Sequence, residues 1–195
     1  QSSPFTSVLV QFAESLDPDS TPQGARLLGL LETVVPVEIV PSSAQIDYTS
    51  LPKGALVVSL GDCWQTEQLI PASLLSTVGP EGYCVQSASH GNGTVQAIAA
   101  NGNAAPATPY AQFVNAGLLH ASFALFEELG FGFFHPLQPL VPTELAFYED
   151  EVSITTAPHW PLRGWHYHTE HPLELTEVLN GLESNGTAWE DMVGE

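Results

Sequence analysis

Basic residues are almost absent from this chain of 195 residues, which has 3 Lys and Arg against 22 Asp and Glu and a formal net charge of −19. Proteins that bind nucleic acid need cations that contact the phosphates and release counterions, and anionic membrane surfaces attract basic segments in the same way. The acidic residues are dispersed rather than gathered in runs, which is typical of a solvated surface. The composition therefore argues against nucleic acid and membrane surfaces as partners.

Long apolar runs are also missing, and none reaches the length that a membrane-spanning helix needs. The first ten residues lack the basic-then-apolar pattern of a signal peptide, and the opening Gln1-Ser2-Ser3-Pro4 suits a mature chain whose signal has been removed. The hydrophobic fraction of 44% is enough for an ordinary core. The length fits one domain, or one domain with part of a second.

Cysteine is scarce too, since the chain has only Cys63 and Cys84. An even count is compatible with one disulfide in an oxidising compartment, so a Cys63–Cys84 bridge is an open expectation. Two Asn-Gly-Thr sequons, at Asn92 and Asn185, are potential glycosylation sites on surface loops. Together these features favour a secreted, extracellular glycoprotein over a cytosolic one.

The first half of the chain reads as alternating strands and helices. Apolar runs predict strands over residues 7–12, 37–40 and 55–60, and the last of these is continuous enough to be covered on both faces. Thr21 and Pro22 supply the start of a helix that continues to Thr33, and a second helix is predicted from Glu67 to Ser76. The first two strands and their helix form a β-α-β unit.

The second half continues with a hairpin and a long helix. Strands are predicted over 82–87 and 94–100 around a Gly-Asn-Gly turn, a helix over 108–130 that stops at Gly130, and a short strand over 152–156. Prolines bracket the segment 157–161, which is the clearest boundary. Beyond it, residues 163–168 predict a strand and 175–182 a helix, and these cannot bury a core of their own. We therefore expect an α/β (α+β) domain over 1–157, with a mixed sheet and helices mainly on one face, and an incomplete second domain over 158–195.

Several of these segments resemble a known family. They are Glu81-Gly82-Tyr83, Ala99-Ala100-Asn101-Gly102, Asn115-Ala116-Gly117-Leu118-Leu119-His120, Gly130-Phe131-Gly132-Phe133-Phe134-His135-Pro136 and Pro161-Leu162-Arg163-Gly164-Trp165-His166. In this order they resemble the small α/β domain that precedes the (β/α)8 barrel in β-N-acetylhexosaminidases of glycoside hydrolase family 20 and in α-glucuronidases. The likeness covers roughly residues 50 to 175. It implies that Arg163-Gly164 opens the first strand of a catalytic barrel whose remainder is not in this chain.

The same resemblance suggests which residues would contact a sugar. Active sites of such barrels lie at the carboxyl ends of the strands. The resemblance therefore places His168 and His171 beside the substrate cleft, where they would hydrogen-bond sugar hydroxyls together with Arg163, with Trp165 or Tyr167 packing below the sugar. The alternative is that these histidines are barrel-wall residues whose rings are satisfied within the protein. Hexosaminidases have an Asp and, three residues later, an Arg where this sequence has His168 and His171. Those two roles are therefore not carried over, and no catalytic residue is assigned.

Other patterns in the sequence have simpler explanations than a functional site. His166 and His168 lie on one side of the predicted strand and could start a metal site, but their spacing matches no zinc signature, so no metal or cofactor is expected. Ser87, His90 and Asp62 could form a nucleophilic triad, although no nucleophile elbow accompanies them. His90 is expected in a surface loop and His120 in the core helix or at its boundary. Core or linker packing is the simpler role for the remaining aromatic candidates for a sugar platform, Trp64, Phe133, Phe134 and Trp160.

The sequence leads to one functional expectation and two alternatives. We expect a non-catalytic N-terminal domain of a secreted glycoside hydrolase acting on poly- or oligosaccharides, inactive alone, with carbohydrate and the rest of the barrel as partners. The first alternative is a free-standing extracellular binding or structural module. The second is a complete small hydrolase, which predicts that the purified chain cleaves aryl glycosides.

Overall fold

A computed structural model describes residues 4–79, 81–91, 93–101, 116–134, 138–148 and 151–159. The chain divides into two compact units, one of residues 1–131 and 141–158 and the other of residues 132–140 and 159–195. The first unit holds every helix and strand described below. In the described part of the second, Gly132 and Leu140 form an antiparallel β-bridge.

The elements of the first unit confirm a mixed α/β fold. In chain order they are β1 (Ser7–Phe12), α1 (Pro22–Glu32), β2 (Val37–Ile39), β3 (Ala55–Leu60), α2 (Trp64–Leu69), α3 (Ala72–Leu75), β4 (Tyr83–Ser89), β5 (Val95–Ala100), α4 (Ala116–Glu128) and β6 (Ser153–Thr156). The six strands form one sheet in the order β2-β1-β3-β5-β4-β6. The strands β2, β1, β3 and β5 pair in parallel, whereas β4 pairs antiparallel with both β5 and β6.

Local signals in the sequence explain where the helices begin and end. The Thr21 hydroxyl accepts a hydrogen bond from the Gly24 N–H at 3.1 Å, and Pro22 occupies the first turn of α1. Just after the carboxyl end of α4, Gly130 has a φ of 101°. Glycine adopts this left-handed value readily, and it ends the helix. Both boundaries confirm the prediction.

The predicted helix over 67–76 is instead two short helices, α2 and α3. Pro71 stands between them with an extended backbone, φ −62° and ψ 136°. A proline lacks the N–H that would continue the hydrogen-bond ladder, and it disfavours helical geometry in the residue before it. The interruption is therefore a direct effect of one residue that the sequence-based prediction passed over.

Helices cover both faces of the sheet at β5, rather than mainly one. Ile98 and Ala100 pack with Cys84 against side chains of α2 and α3. Successive side chains of a strand point to opposite faces, and Ala97 and Ala99 are fully buried on the other face of β5, where α4 packs across β5 and β4. The neighbouring strand β3 is buried at every position, as its continuous apolar run predicted.

Candidate functional site

The residues that were predicted to contact a sugar, Arg163, Trp165, His168 and His171, lie outside the described residues, as do the sequon asparagines Asn92 and Asn185. Their assignments therefore stay predictions. The strand over 163–168 that was expected to open a barrel lies outside the described residues as well. The chemistry that the structure does describe belongs to the first unit.

A layer of buried amide and hydroxyl groups lies on one face of the sheet, beside the carboxyl ends of β1 and β3. Ser59 Oγ donates to Gln11 Oε1 at 3.1 Å across the two neighbouring strands. Gln11 Nε2 donates to the carbonyl oxygens of Pro41 at 2.8 Å and Ala44 at 2.9 Å. Gln65 Nε2, from α2, donates to the same Ala44 oxygen at 3.3 Å. Side chains of one strand and one helix therefore hold a single stretch of loop, and Ser59 of the neighbouring strand orients one of them.

That loop explains why polar residues are buried in this sheet. β2 and β3 are parallel, so between them the chain must return from the carboxyl ends of the strands to their amino ends. It does so over residues 40–54, which form the crossover. Such a crossover is usually an α-helix, which satisfies its own backbone groups. Here it contains only a short 3-10 turn, Tyr48–Ser50. Its backbone carbonyls need outside donors, and Gln11 and Gln65 supply them.

The same groups lie at the point where α/β sheets commonly bind ligands. The chain leaves β1 toward β2 and leaves β3 toward β5, so their carboxyl ends form a topological switch point. On one side this point is filled by Gln11 and the loop that it holds. On the other side Gly61 leaves no room, since a Cβ there would lie 2.6 Å from Ala13 Cβ and 2.8 Å from Leu118 Cδ2. On both sides of this point the described residues pack closely against one another.

Three of the segments that carry the family resemblance meet at Asn101, just after β5. Asn101 Nδ2 donates to the carbonyl oxygens of Gly79, at 3.2 Å, and of Gly82. A Cβ on Gly117, in the first turn of α4, would overlap the Asn101 amide and lie 2.8 Å from the Gly82 oxygen. The α3–β4 connection, the end of β5 and the start of α4 are thus joined by one amide between two closely packed glycines. This arrangement serves packing rather than chemistry.

The expected Cys63–Cys84 disulfide is not formed in the structure, where both residues are free, buried thiols. Cys63 follows β3, and its Sγ donates back to the Leu60 oxygen at 3.8 Å. Cys84 lies on β4 and accepts from Thr155 Oγ1 at 3.7 Å, on the far side from β3. β5 lies between β3 and β4, which sets these strands roughly 9–10 Å apart, beyond the ~7 Å limit for a disulfide. The sequons remain as the sequence feature that favours secretion.

Neither cysteine is an activated nucleophile. Burial, with a smaller contribution from the Asp62 carboxylate, raises the pKa of the Cys63 thiol to about 12. Burial also raises the pKa of Cys84. Reactive cysteines have the opposite environment, which stabilises the thiolate. Both thiols are therefore structural.

The triad considered from the sequence is not assembled. Asp62 follows β3 and lies near the carboxyl ends of the parallel strands. His90 follows β4, which runs antiparallel, and therefore lies near their amino ends. Ser87 Oγ accepts a hydrogen bond from the Val152 N–H at 2.8 Å, so it serves the β4–β6 junction. The three side chains cannot cooperate in proton transfer because the geometry of a triad requires mutual hydrogen bonds.

The two histidines of the first unit lie in unlike environments. His90 is half-buried, and its ring stacks on that of Tyr48 with centroids 3.8 Å apart and planes 9° from parallel. The expected surface loop is thus a packed contact between the β4–β5 turn and the crossover. Burial raises the pKa of Tyr48 to about 12. His120, expected in the core or at its boundary, lies on the exposed side of α4.

The aromatic candidates for a sugar-binding platform differ in exposure. Trp64 is half-buried at the start of α2, and its backbone N–H donates to the Ser42 oxygen at 2.9 Å. Phe133 is half-buried and Phe134 is 91% exposed. Trp160 lies outside the described residues. Packing in the core or linker, the simpler expectation, therefore does not describe Phe134.

The described residues contain no group of three or more His, Cys, Asp and Glu side chains that could hold a metal ion. No helix of the described part has both the length and the apolar character to cross a membrane.

The buried polar layer and Asn101 were not singled out from the sequence. A signal for the layer is present: Gln11, Ser59 and Gln96 interrupt otherwise apolar strands, and each is at most 5% exposed. Asn101 directly follows a strand of small apolar residues. No sequence signal distinguishes its role from that of an ordinary turn residue.

No protein-family model matches the chain, and no curated protein matches it.

Proposed function

We propose that this chain is the N-terminal, non-catalytic domain of a secreted glycoside hydrolase that acts on poly- or oligosaccharides. Its role is to buttress a catalytic (β/α)8 barrel. The observation that carries this proposal is the close packing at the switch point between β1 and β3, where Gln11 holds the crossover on one side and Ala13 and Leu118 lie against Gly61 on the other. A domain whose own residues are packed closely where this fold usually binds a ligand is suited to support rather than to catalysis.

The chemistry of the described residues supports the same role. Ser59 Oγ donates a hydrogen bond to Gln11, and Ser87 Oγ accepts one from a backbone N–H. Burial raises the pKa of the Cys63 thiol to about 12, which keeps it protonated at neutral pH. Nucleophilic catalysis needs a nucleophile activated by a base or by a lowered pKa. The side chains that could attack a substrate are instead engaged in holding the sheet together.

The carbohydrate part of the proposal rests on the resemblance. Residues of three of its segments, Gly82, Asn101 and Gly117, are adjacent in the fold, which supports treating them as one structural unit rather than as chance matches. In this proposal Arg163, Trp165, His168 and His171 belong to the barrel and contact sugar at its rim. The partners are then a carbohydrate and the remaining strands and helices of the barrel.

The test compares the longest protein that the gene encodes with residues 1–195 alone. Both are assayed against a panel of aryl glycosides and oligosaccharides. We expect turnover by the longer protein and none by residues 1–195. A Gly117→Ala variant of the longer protein should lose activity at a lower temperature while keeping its kcat/KM at 25 °C, with Gly29→Ala as the matched control, because nothing lies within 4 Å of a Cβ at Gly29.

Each alternative predicts a different result. A gene that ends at Glu195, with a chain that binds but does not cleave oligosaccharides, would replace the proposal with a free-standing binding module. Turnover by residues 1–195 alone would identify a complete small hydrolase. A longer protein without repeated strand-helix units would also refute the barrel.

A further inference from the structure

The crossover over residues 40–54 covers a polar strip of the sheet. Ser7 and Gln11 of β1 lie on the same face because they are an even number of residues apart, and register places Ser59 of β3 beside Gln11. The crossover binds this strip at one end through Gln11, and at the other end Tyr48 stacks on His90. Buried atoms beneath it can therefore reach bulk water only if the crossover lifts.

One acceptor in this strip is left without a donor. Gln65 is fully buried, and its Oε1 has no hydrogen-bond donor among the described residues. Its amide cannot simply be reversed, because Nε2 donates to the Ala44 oxygen, and a reversal would bring two oxygens together. Leaving a buried acceptor unpaired costs roughly 1–3 kcal/mol. Such atoms in folded proteins are almost always bound to something.

The surroundings of Gln65 define what can bind there. The groups that form hydrogen bonds around it, Gln11, Ser59, Gln96 and the Ala44 carbonyl, are all uncharged. A cation would lose its hydration without gaining a carboxylate partner, which is costly in a buried position. A small neutral donor meets no such penalty. Water is the donor that fits.

We propose that the strip beneath the crossover is a binding site for internal water, centred on a water molecule that donates to Gln65 Oε1 and helps to hold the crossover on the sheet. Ser7 Oγ, on the same face of β1, also is buried without a partner among the described residues. It lies toward the amino end of the strand. Buried water typically makes about three hydrogen bonds to polar groups of this kind.

Oxygen-17 magnetic relaxation dispersion on the full chain counts water molecules that stay inside the protein, and a high-resolution crystal structure locates them. We expect at least one long-lived water molecule in the wild type, with density within hydrogen-bonding distance of Gln65 Oε1. Gln65→Met keeps the shape of the side chain but removes the acceptor, and it should lower the count by at least one. Gln68→Met is the matched control, because Gln68 is exposed on the same helix, and it should leave the count unchanged.

The wild-type measurement decides the question even if Gln65→Met does not fold. Density that shows a protein donor bound to Gln65 Oε1, or no density beside it, would overturn the proposal. Density beside Gln65 Oε1 that appears only in crystals grown with an ammonium salt would also overturn it, because the bound group would then be an ammonium ion rather than water. An equal loss of internal water in Gln65→Met and Gln68→Met would overturn it as well, because the site would then not depend on this acceptor.

Discussion

The hydroxyl of Ser59 donates to the amide oxygen of Gln11 at 3.1 Å, between the carboxyl-terminal halves of two parallel strands that are otherwise apolar. This bond orients the Gln11 amide so that its Nε2 faces the carbonyls of the crossover. One pair of side chains thereby fixes both the sheet and the loop that lies on it. The most direct tests of the structure begin with this pair.

Replacing Gln11 with Met should destabilise the fold. The substitution keeps most of the volume but leaves the Pro41 oxygen without its side-chain donor and the Ala44 oxygen with only the bond from Gln65. We expect a loss of about 2–3 kcal/mol in the free energy of unfolding, measured by urea denaturation. Hydrogen exchange of residues 41–47 should accelerate more than that of β3. A loss below ~0.5 kcal/mol, the size expected of an ordinary surface change, would contradict the role given to Gln11.

Replacing Gly117 with Ala should cost stability, whereas Gly29→Ala should increase it. The added methyl group at Gly117 would overlap the Asn101 amide, and overpacking of this kind costs roughly 1–3 kcal/mol. Gly29 lies within α1 with open space around it, where alanine is favoured by roughly 0.5–1 kcal/mol. Thermal unfolding of the two variants should therefore shift in opposite directions. Shifts in the same direction would show that the Asn101 junction is not tightly packed.

The two cysteines should behave as free thiols. Denatured but unreduced protein should react with a thiol reagent at both Cys63 and Cys84, whereas the native protein at pH 8 should react slowly at each. Reaction followed by absorbance, with mass spectrometry to assign the sites, measures both. The absence of reactive thiol in denatured protein would instead establish the bridge.

Stability should fall at alkaline pH. In the folded chain the pKa of Cys63 is raised to about 12, whereas in the unfolded chain it returns to its ordinary value near 9. Above that value the unfolded state releases the proton and the folded state retains it, so stability is fully present below about pH 9 and is lost as pH rises toward 12. One such group contributes a slope of at most ~1.4 kcal/mol per pH unit.

Tyr48, with its pKa also raised to about 12 by burial, adds to this loss above its ordinary value of 10. Urea unfolding at pH 8 and pH 10.5 should show the decline in wild type and a smaller decline in Cys63→Ala. Equal declines in the two proteins would mean that Cys63 does not retain its proton in the folded state.

Substitution of two phenylalanines should separate the core from the surface. Phe134 is 91% exposed, so Phe134→Ser should change the free energy of unfolding by less than ~0.5 kcal/mol. Phe126 is fully buried on α4, and Phe126→Ala should cost roughly 3–5 kcal/mol. Denaturant titrations of both variants test this. A large cost at Phe134 would mean that its ring is covered in solution.

Much of the fold follows from patterns in the sequence. The apolar run of β3, the Thr21-Pro22 start of α1 and the Gly130 stop of α4 each depend on a local rule, and the structure confirms all three. The break at Pro71 is also a local effect and could have been predicted. The arrangement of the helices could not, because the face on which a helix lies depends on which strands become neighbours.

The polar layer was harder to predict for a physical reason. A buried glutamine is stable only with partners, and the partners of Gln11 are carbonyls 30 and 33 residues away in the sequence. Nothing in the local sequence shows that the crossover will lack a helix and therefore need donors. The disulfide prediction failed similarly, since a count of two cysteines carries no information about the strand that separates them.

The described sheet ends in its two shortest strands, β2 with 3 residues and β6 with 4. An edge strand can template the addition of a strand from another molecule, and the risk grows with the number of unpaired N–H and C=O groups in a row. Neither edge offers a long row, although Ile39 exposes half of its side chain on one of them. Short edge strands therefore limit the addition of strands from other molecules to the described sheet. Neither edge strand contains a lysine, the residue that commonly prevents such pairing in other proteins.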